Sequence, residues 1–132
     1  MPVATQYCVC LENKPGMLAR LCAVLSRAKV NIEAIFVSEG DDDGFCWVNF
    51  VAAPVLEVER ALTDASYSFV PEKVLALPLE NRPGELERIA DKLAEAGVNV
   101  HYVYGGGYTG SRFLAVVSVD DLERASGALS VR

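Results

Sequence analysis

The sequence predicts an α+β fold made of two tandem βαββαβ units. Two observations carry this prediction: an internal repeat, and the order of strand-like and helix-like patterns within each copy. Residues 11–52 align with residues 79–120 at a constant offset of 68 positions and without a gap. A two-fold repeat of this size indicates two small domains rather than a solenoid. We expect the domains at 1–70 and 71–132, packed rigidly side by side because no flexible linker separates them.

The first unit reads as strand, helix, strand, strand, helix, strand. Residues 5–11 are strand-like, and Pro15 then favours the first turn of a helix, with Asn13 as its candidate cap. Apolar residues follow at the i, i+3, i+4, i+7 spacing of an amphipathic helix. They are Leu18, Leu21, Cys22, Leu25 and Ala28. Further strands are predicted at 30–37, 45–51 and 67–70, with a second helix that Pro54 opens.

The second unit repeats this order. Its strands are predicted at 73–79, 98–104 and 112–119, with a loop at 105–110. Gly97 ends its first helix, and Asp120 is predicted to cap its last helix. Only three residues follow that helix, so the final strand is predicted to be short or absent. The order βαββαβ is the ferredoxin-like arrangement, in which an antiparallel sheet carries its helices on one face.

Composition narrows the classes of function. A net charge of −6 and a pI near 4.7 argue against a basic nucleic-acid-binding face. No apolar run reaches the length of a membrane helix, and the N-terminus lacks a secretory signal pattern, so we expect a cytoplasmic protein without a membrane partner.

Catalytic, metal and cofactor sites are not predicted. The four cysteines form no CxxC pair and are expected to be reduced and mostly buried, and His101 is the single histidine. No spacing links a nucleophile to a base, so we expect no enzyme activity. The glycine-rich stretch at 105–110 lacks the ending of a phosphate-binding loop, and the aspartates at 41–43 are expected to form a solvated loop.

The repeated turn is the best candidate for a binding site. The sequence ENKPGML at 12–18 returns as ENRPGEL at 80–86, and VNI at 30–32 returns as VNV at 98–100. A helix N-terminus offers unpaired N–H groups and a partial positive charge, which suit a carboxylate. Glycine lets a ligand approach the backbone closely, and an asparagine amide both donates and accepts. Asn and Pro-Gly at these places are also ordinary turn residues, so the alternative is a purely structural turn.

These two motifs resemble those of the ACT domain, a small amino-acid-binding regulatory module. The resemblance covers essentially the whole chain, which looks like the small free-standing proteins made of two ACT units. It implies that units pair side by side and that effector amino acids bind at the seam, against the first turn and the second strand. Carried over residue by residue, it implies ligand contacts at Asn13, Pro15, Gly16, Met17, Leu18, Asn31 and Ile32 in the first copy and at Asn81, Pro83, Gly84, Glu85, Leu86, Asn99 and Val100 in the second.

The resemblance predicts a non-catalytic sensor of a small amino acid that regulates an enzyme of amino-acid metabolism in trans. One alternative is an assembly module that binds no ligand and docks on such an enzyme, and a small enzyme on a ferredoxin-like scaffold is the least favoured reading. Leu11 and Leu79 stand where some serine-binding members have a histidine, so serine recognition is not implied.

Differences between the copies give three further expectations. Glu85 replaces Met17 and places a carboxylate near the second anion site, so the first copy is expected to prefer a more apolar ligand. His101 either lies on a strand face or approaches the ligand. Ala23 and Val24 leave the first helix apolar nearly all round, which suits either a homodimer interface or small residues on an exposed face.

Overall fold

The computed structural model describes residues 3–40 and 44–130. Within these ranges the chain forms six strands and four helices in the predicted order. The first unit contains β1 (Val3–Glu12), α1 (Met17–Arg27), β2 (Asn31–Glu39), β3 (Phe45–Ala53) and α2 (Val55–Asp64). The remaining elements are β4 (Phe69–Glu80), α3 (Glu85–Glu95), β5 (Val100–Thr109), β6 (Arg112–Val119) and α4 (Leu122–Ser130). The fold is therefore α+β, and its two tandem ferredoxin-like units confirm the predicted fold class.

The chain divides into two compact units, each with its own core. One unit comprises Thr5–Glu72, and the other runs from Lys73 to the end of the described chain and also includes Val3 and Ala4. The predicted aspartate loop at 41–43 lies outside the described residues. So do Val131 and Arg132, on which the prediction of a short or absent last strand depends.

In the first unit, an antiparallel sheet in the order β2-β3-β1 carries α1 and α2. Val9 pairs with Val48, and Ile35 pairs with Phe50. The core side chains come from alternate strand positions and from one stripe of each helix. They include Tyr7, Val9, Leu21, Leu25, Val48, Phe50, Val58 and Leu62. The buried Tyr7 hydroxyl donates to Glu59 Oε2 at 3.1 Å. The pKa of Tyr7 is raised, mainly because burial disfavours the charged form and also because the Glu59 carboxylate lies beside it.

The second unit has the matching strand order β4-β6-β5, also antiparallel. Leu77 pairs with Ala115, and Val103 pairs with Val117. Its core lies between the sheet and the stripes of α3 and α4 and includes Leu75, Leu77, Leu79, Ile89, Leu93, Val117, Ala125 and Leu129. The core positions of the first strand and first helix of each unit correspond at the predicted offset of 68, as Val9 does to Leu77 and Leu25 to Leu93. From the third strand onward the offset is 67, so the ungapped alignment is wrong there by one position, and Val48 corresponds to Ala115.

Two predicted strand boundaries are wrong. The strands predicted at 67–70 and 73–79 form one continuous strand, β4, which passes through Pro71. Pro71 precedes the ladder with β6, which begins at Leu75, so its missing N–H removes no bond from that ladder. The predicted loop at 105–110 is largely the end of β5. Its glycines fit there because the ladder with β6 shifts register between Gly105 and Tyr108.

Both predicted side-chain caps on the repeated units are also wrong. Gly16 occupies the N-cap position of α1, and no side chain caps that helix, so Asn13 does not. At α4, the Asp121 carboxylate accepts the N–H of Arg124 at 3.0 Å, which is the N-cap contact predicted for Asp120. Asp120 instead accepts the backbone N–H of Asn99 at 3.0 Å.

The cysteines are less buried than predicted. All four are free thiols, with Cys46 buried, Cys8 and Cys22 half-buried and Cys10 exposed. Cys8 and Cys10 alternate with the core residues of β1 and therefore lie on the sheet face away from the helices. No helix in the described ranges is long and apolar enough to cross a membrane.

Candidate ligand sites at the two strand-to-helix turns

The first turn joins β1 to α1 through a short hydrogen-bonded connection. The Asn13 N–H donates to the Gly44 carbonyl at 2.8 Å, and the Lys14 N–H donates to the Glu12 carbonyl at 3.0 Å. Gly16 has φ +92°, a conformation that glycine adopts without steric cost. The chain can thus leave the strand and start α1 at once, with the helix N-terminus exposed beside Pro15.

The second turn repeats this backbone geometry. The Asn81 N–H donates to the Ser111 carbonyl at 2.9 Å, and the Arg82 N–H donates to the Glu80 carbonyl at 3.0 Å. Gly84 has φ +86°. The similarity of sequence between the two turns is therefore a similarity of local structure.

Both turns leave unpaired donors at the start of a helix. The N–H groups of Leu18 and Ala19 in α1, and of Leu86 and Glu87 in α3, find no acceptor within residues 3–40 and 44–130. Such groups carry the positive end of the helix dipole and can bind an anion.

The two helix starts differ in charge. The first turn of α1 contains no acidic residue, whereas α3 has Glu85 and Glu87 there. The partial positive charge at α1 is therefore not opposed by a carboxylate on its own helix, which favours the first turn for an anionic group.

The motif asparagines are exposed at both turns, although neither caps a helix. Asn13 Nδ2 donates to Glu39 Oε2 at 3.0 Å, so its side chain leans toward the end of β2. Leu18 and Leu86 are 42% and 44% exposed, which shows that the predicted apolar stripe of each helix begins one turn too early. Asn13, Pro15, Gly16 and Leu18 together form one exposed surface at the first turn.

The strand residues of each predicted site lie far from the turn of the same unit. Asn31 pairs with Ala53 at one end of β3, whereas Glu12, next to the turn, pairs with Phe45 at the other end. These ends of a nine-residue strand are roughly 25 Å apart. In the second unit, Val100 and Glu80 pair with opposite ends of β6. A single amino acid therefore cannot contact the turn and the strand start of one unit together.

The side chains at the strand starts also have local roles. Ile32 and Val100 pack against the cores of their units, while Asn31 and Asn99 are exposed. The backbone of Asn99 makes two bonds to Asp120, since its carbonyl accepts the Asp120 N–H at 3.0 Å and its N–H donates to Asp120 Oδ1. His101 is exposed on β5.

Glu85 occupies a buried, ion-paired position that the sequence reading did not anticipate. Its side chain is 7% exposed, and its carboxylate lies 2.7 Å from Arg88 Nη2 and 3.5 Å from Arg82 Nε. The hydrogen bond from Arg88, with the charges of both arginines, holds the pKa of Glu85 below its usual value. The i, i+3 spacing of Glu85 and Arg88 is the signal from which this pair could have been predicted. Met17, at the same position of α1, packs against the first core instead.

A cavity of about 580 Å³ lies in the second unit beside Glu85. Of the predicted site residues, only Glu85 lines it. The other lining residues come from β4, α3, the start of β6 and the end of α4, and they are Leu77, Pro78, Leu79, Glu80, Arg88, Ile89, Lys92, Arg112 and Leu129. Sequence reasoning missed this cavity because it depends on how side chains of four elements fill the space between them.

No cluster of metal ligands occurs in the part of the chain that the structure describes. Groups of three or more His, Cys, Asp or Glu side chains placed to hold an ion are absent there.

Several solved structures have a similar fold. Protein BT0572 from Bacteroides thetaiotaomicron is 23% identical and has a TM-score of 0.86, with 97% of this chain and 87% of that chain covered. The regulatory subunit of aspartate kinase from Thermus thermophilus is 14% identical with a TM-score of 0.68, over 97% and 88% of the two chains. Aspartate kinase from Synechocystis is 20% identical with a TM-score of 0.61, and the match includes 97% of this chain and 25% of the kinase chain. At these identities the similarity shows the fold.

The family comparison covers nearly the whole chain. No curated protein sequence matches significantly. The family model described as an ACT domain pair matches residues 1–131, which include both turns and every described strand and helix. The chain therefore belongs to the family of ACT domain pairs.

Proposed function

We propose that this chain is a non-catalytic regulatory protein that binds a small amino acid at its strand-to-helix turns. The observation that carries this proposal is the exposed start of α1, where the N–H groups of Leu18 and Ala19 find no acceptor in the described structure and no acidic residue lies in the first turn. An amino-acid carboxylate supplies the missing acceptors, and Gly16 lets it approach the backbone.

The first turn is proposed as the stronger of the two sites. At the second turn, Glu87 is exposed on the first turn of α3 and repels a carboxylate, while the charge of Glu85 is offset by Arg82 and Arg88. A few neutral hydrogen bonds of about 0.5–1.5 kcal/mol each give an affinity of roughly micromolar to millimolar. That range suits a sensor of a metabolite.

The remaining contacts of each ligand are proposed to come from outside the unit that supplies the turn. The motif asparagines Asn31 and Asn99 stand at the far ends of their own units, so they lie too far away to contact a ligand at the turn of the same unit.

The proposed partner is an enzyme of amino-acid metabolism, regulated in trans. The support is that the similar Thermus thermophilus structure is a regulatory subunit of aspartate kinase. The second candidate function, an assembly module without a ligand, is favoured by the hydrogen bond from the Asn13 side chain to Glu39, which gives Asn13 a structural role.

A homodimer is also proposed, with α1 at its interface. Ala23 and Val24 are half-buried, and Val24 borders a groove between α1 and α2. The other residues that line this groove are Arg27, Ala28, Ala61, Asp64 and Ala65. The second copy has Lys92 at the position of Val24. Sedimentation equilibrium should give a dimer for the wild-type chain and a monomer for Val24→Lys, and a monomeric wild-type chain would end this part of the proposal.

A thermal-shift screen of the twenty amino acids tests the proposed function. A ligand at about 100 times its Kd should stabilise the protein by about 2.7 kcal/mol. Asn13→Ala and Asn81→Ala should weaken the response, whereas Asn49→Ala, in the middle of β3, should not. If all twenty amino acids leave the melting temperature unchanged at millimolar concentration, the sensor function is wrong and the assembly module is favoured.

A further inference from the structure

The cavity beside α3 has the composition of a small-molecule site. Its volume of about 580 Å³ lies within the range of ligand pockets, roughly 300–1,000 Å³. Its apolar side is formed by four buried side chains, namely Leu77, Leu79, Ile89 and Leu129. An apolar wall with a few polar groups at its edge is the usual structure of a site that binds an amphipathic ligand.

The polar edge of the cavity holds charges of both signs. Glu85 is paired with Arg88, and the half-buried Glu80 accepts bonds from Arg112 Nε at 3.1 Å and from Ser111 Oγ at 3.2 Å. Lys92 adds a third cation. An arginine has five N–H donors, so Arg112 can keep its bond to Glu80 and still donate to a ligand.

Three of these charged side chains belong to the second copy alone, whereas Glu80 and Arg88 are kept in the first copy as Glu12 and Arg20. Glu85 corresponds to Met17 and Lys92 to Val24 at the offset of 68 positions. Arg112 corresponds to Phe45 by strand register, since Glu80 pairs with Arg112 as Glu12 pairs with Phe45. The apolar wall, by contrast, is kept, since Leu79 corresponds to Leu11 and Ile89 to Leu21. The fold therefore does not need these three charged side chains, because the first unit forms the same strands and helices without them.

We propose that this cavity, which adjoins the second turn, is a further binding site for an α-amino acid with an apolar side chain. The side chain of the ligand lies against Leu79, Ile89 and Leu129. Its ammonium group is bound by Glu80, and its carboxylate by Arg112 and Lys92. The inference goes beyond the proposed function, because the ligand is bound by side chains and not by the helix-start N–H groups. Glu80 and Glu85 of the second turn line the cavity, whereas Asn81, Gly84 and Leu86 do not.

Isothermal titration with L-leucine and with glycine tests this site. Leucine should bind, and glycine should bind about 10- to 100-fold more weakly, since it lacks the side chain that the apolar wall buries. Arg112→Gln should weaken leucine binding about tenfold through loss of a charge-assisted bond. Lys92→Val, which installs the residue of the first copy, should act in the same direction.

Two further variants separate this site from the turns. Leu129→Phe should reduce leucine binding by filling the cavity, and circular dichroism should show that the variant is folded. Asn13→Ala with Asn81→Ala should leave leucine binding at the cavity unchanged, and Arg20→Gln, at the first-copy position of Arg88, serves as the matched control.

The cavity proposal is overturned if leucine does not bind, if glycine binds as well as leucine, or if Arg112→Gln and Leu129→Phe leave leucine binding unchanged. Should the asparagine double variant abolish leucine binding while the cavity variants do not, leucine binds at the turns. That outcome rejects the cavity site and supports the proposed function.

Discussion

Glu85 shows how one substitution between the copies changes the chemistry at the start of a helix. The sequence comparison places a carboxylate where the first copy has Met17, next to a candidate anion site. In the structure this carboxylate is buried and held by Arg82 and Arg88, so its charge is offset locally. Glu85 is therefore a member of the repeated motif and also the centre of an ion-paired cluster with Arg82 and Arg88 at the start of α3.

The depressed pKa of Glu85 predicts how stability depends on pH. Because the folded-state pKa lies below the unfolded one, the ionised carboxylate stabilises the folded state above its ordinary pKa near 4.5, and this contribution is lost as pH falls through the lower folded value. Glu85→Gln should therefore lower the melting temperature at pH 7, and the difference from wild type should shrink below pH 4.5. Melting curves across this range check it, with Glu33→Gln on β2 as the exposed control. A constant difference at all pH values would contradict the assignment.

Gly16 and Gly84 make a second residue-scale prediction. Both have positive φ, and a Cβ at Gly16 would meet no atom within 4 Å, so the cost of alanine there is conformational rather than steric. Gly16→Ala should destabilise the fold by about 1–2 kcal/mol. Gly105→Ala, at an equally open position without positive φ, should have a smaller effect. Urea unfolding measures both, and equal losses would show that the backbone at Gly16 is not the cause.

At the scale of elements, α4 depends on one side chain at its start. The Asp121 carboxylate accepts the Arg124 N–H, whereas the neighbouring Asp120 joins the start of β5 through Asn99. Two adjacent aspartates thus have different roles. Residue preference alone does not distinguish them, because aspartate is a favourable N-cap at either position.

These roles predict unequal effects of the two alanine variants. Asp121→Ala should cost about 0.5–2 kcal/mol, the usual value of an N-cap. Asp120→Ala should cost less, since the Asn99 N–H that it releases is in an exposed residue and can bond to water. Chemical denaturation of both variants measures the difference, and a larger loss for Asp120→Ala would contradict the assignment of the cap.

At the scale of the whole chain, the repeat predicts the fold well because the first strand and first helix of both copies bury the same aligned positions. Leu21 and Ile89 on the helices, and Leu11 and Leu79 on the strands, are buried as expected. What the pattern does not predict is where strands continue. Pro71 and the glycines of β5 suggest breaks, yet each lies where the ladder with β6 has not begun or shifts register.

The candidate sites are predicted only in part by the sequence. The repeated motif leads to the exposed helix starts at Gly16 and Gly84, because the turn chemistry is local. It does not show that Asn31 lies at the opposite end of the sheet from Asn13, which follows from strand register, nor that a cavity lies beside Arg112, which follows from packing. Arg112 stands where the first copy has Phe45, and this difference is a signal that points toward the cavity.

Amide chemical shifts test the central claim most directly. The amino acid that gives the largest thermal shift should be titrated into isotope-labelled protein while the backbone amide resonances are followed. The account predicts that the largest changes occur at Gly16, Leu18 and Ala19, with smaller changes at Gly84, Leu86 and Glu87. Changes confined to other parts of the chain, with these amides unmoved at saturation, would contradict a carboxylate site at the helix starts.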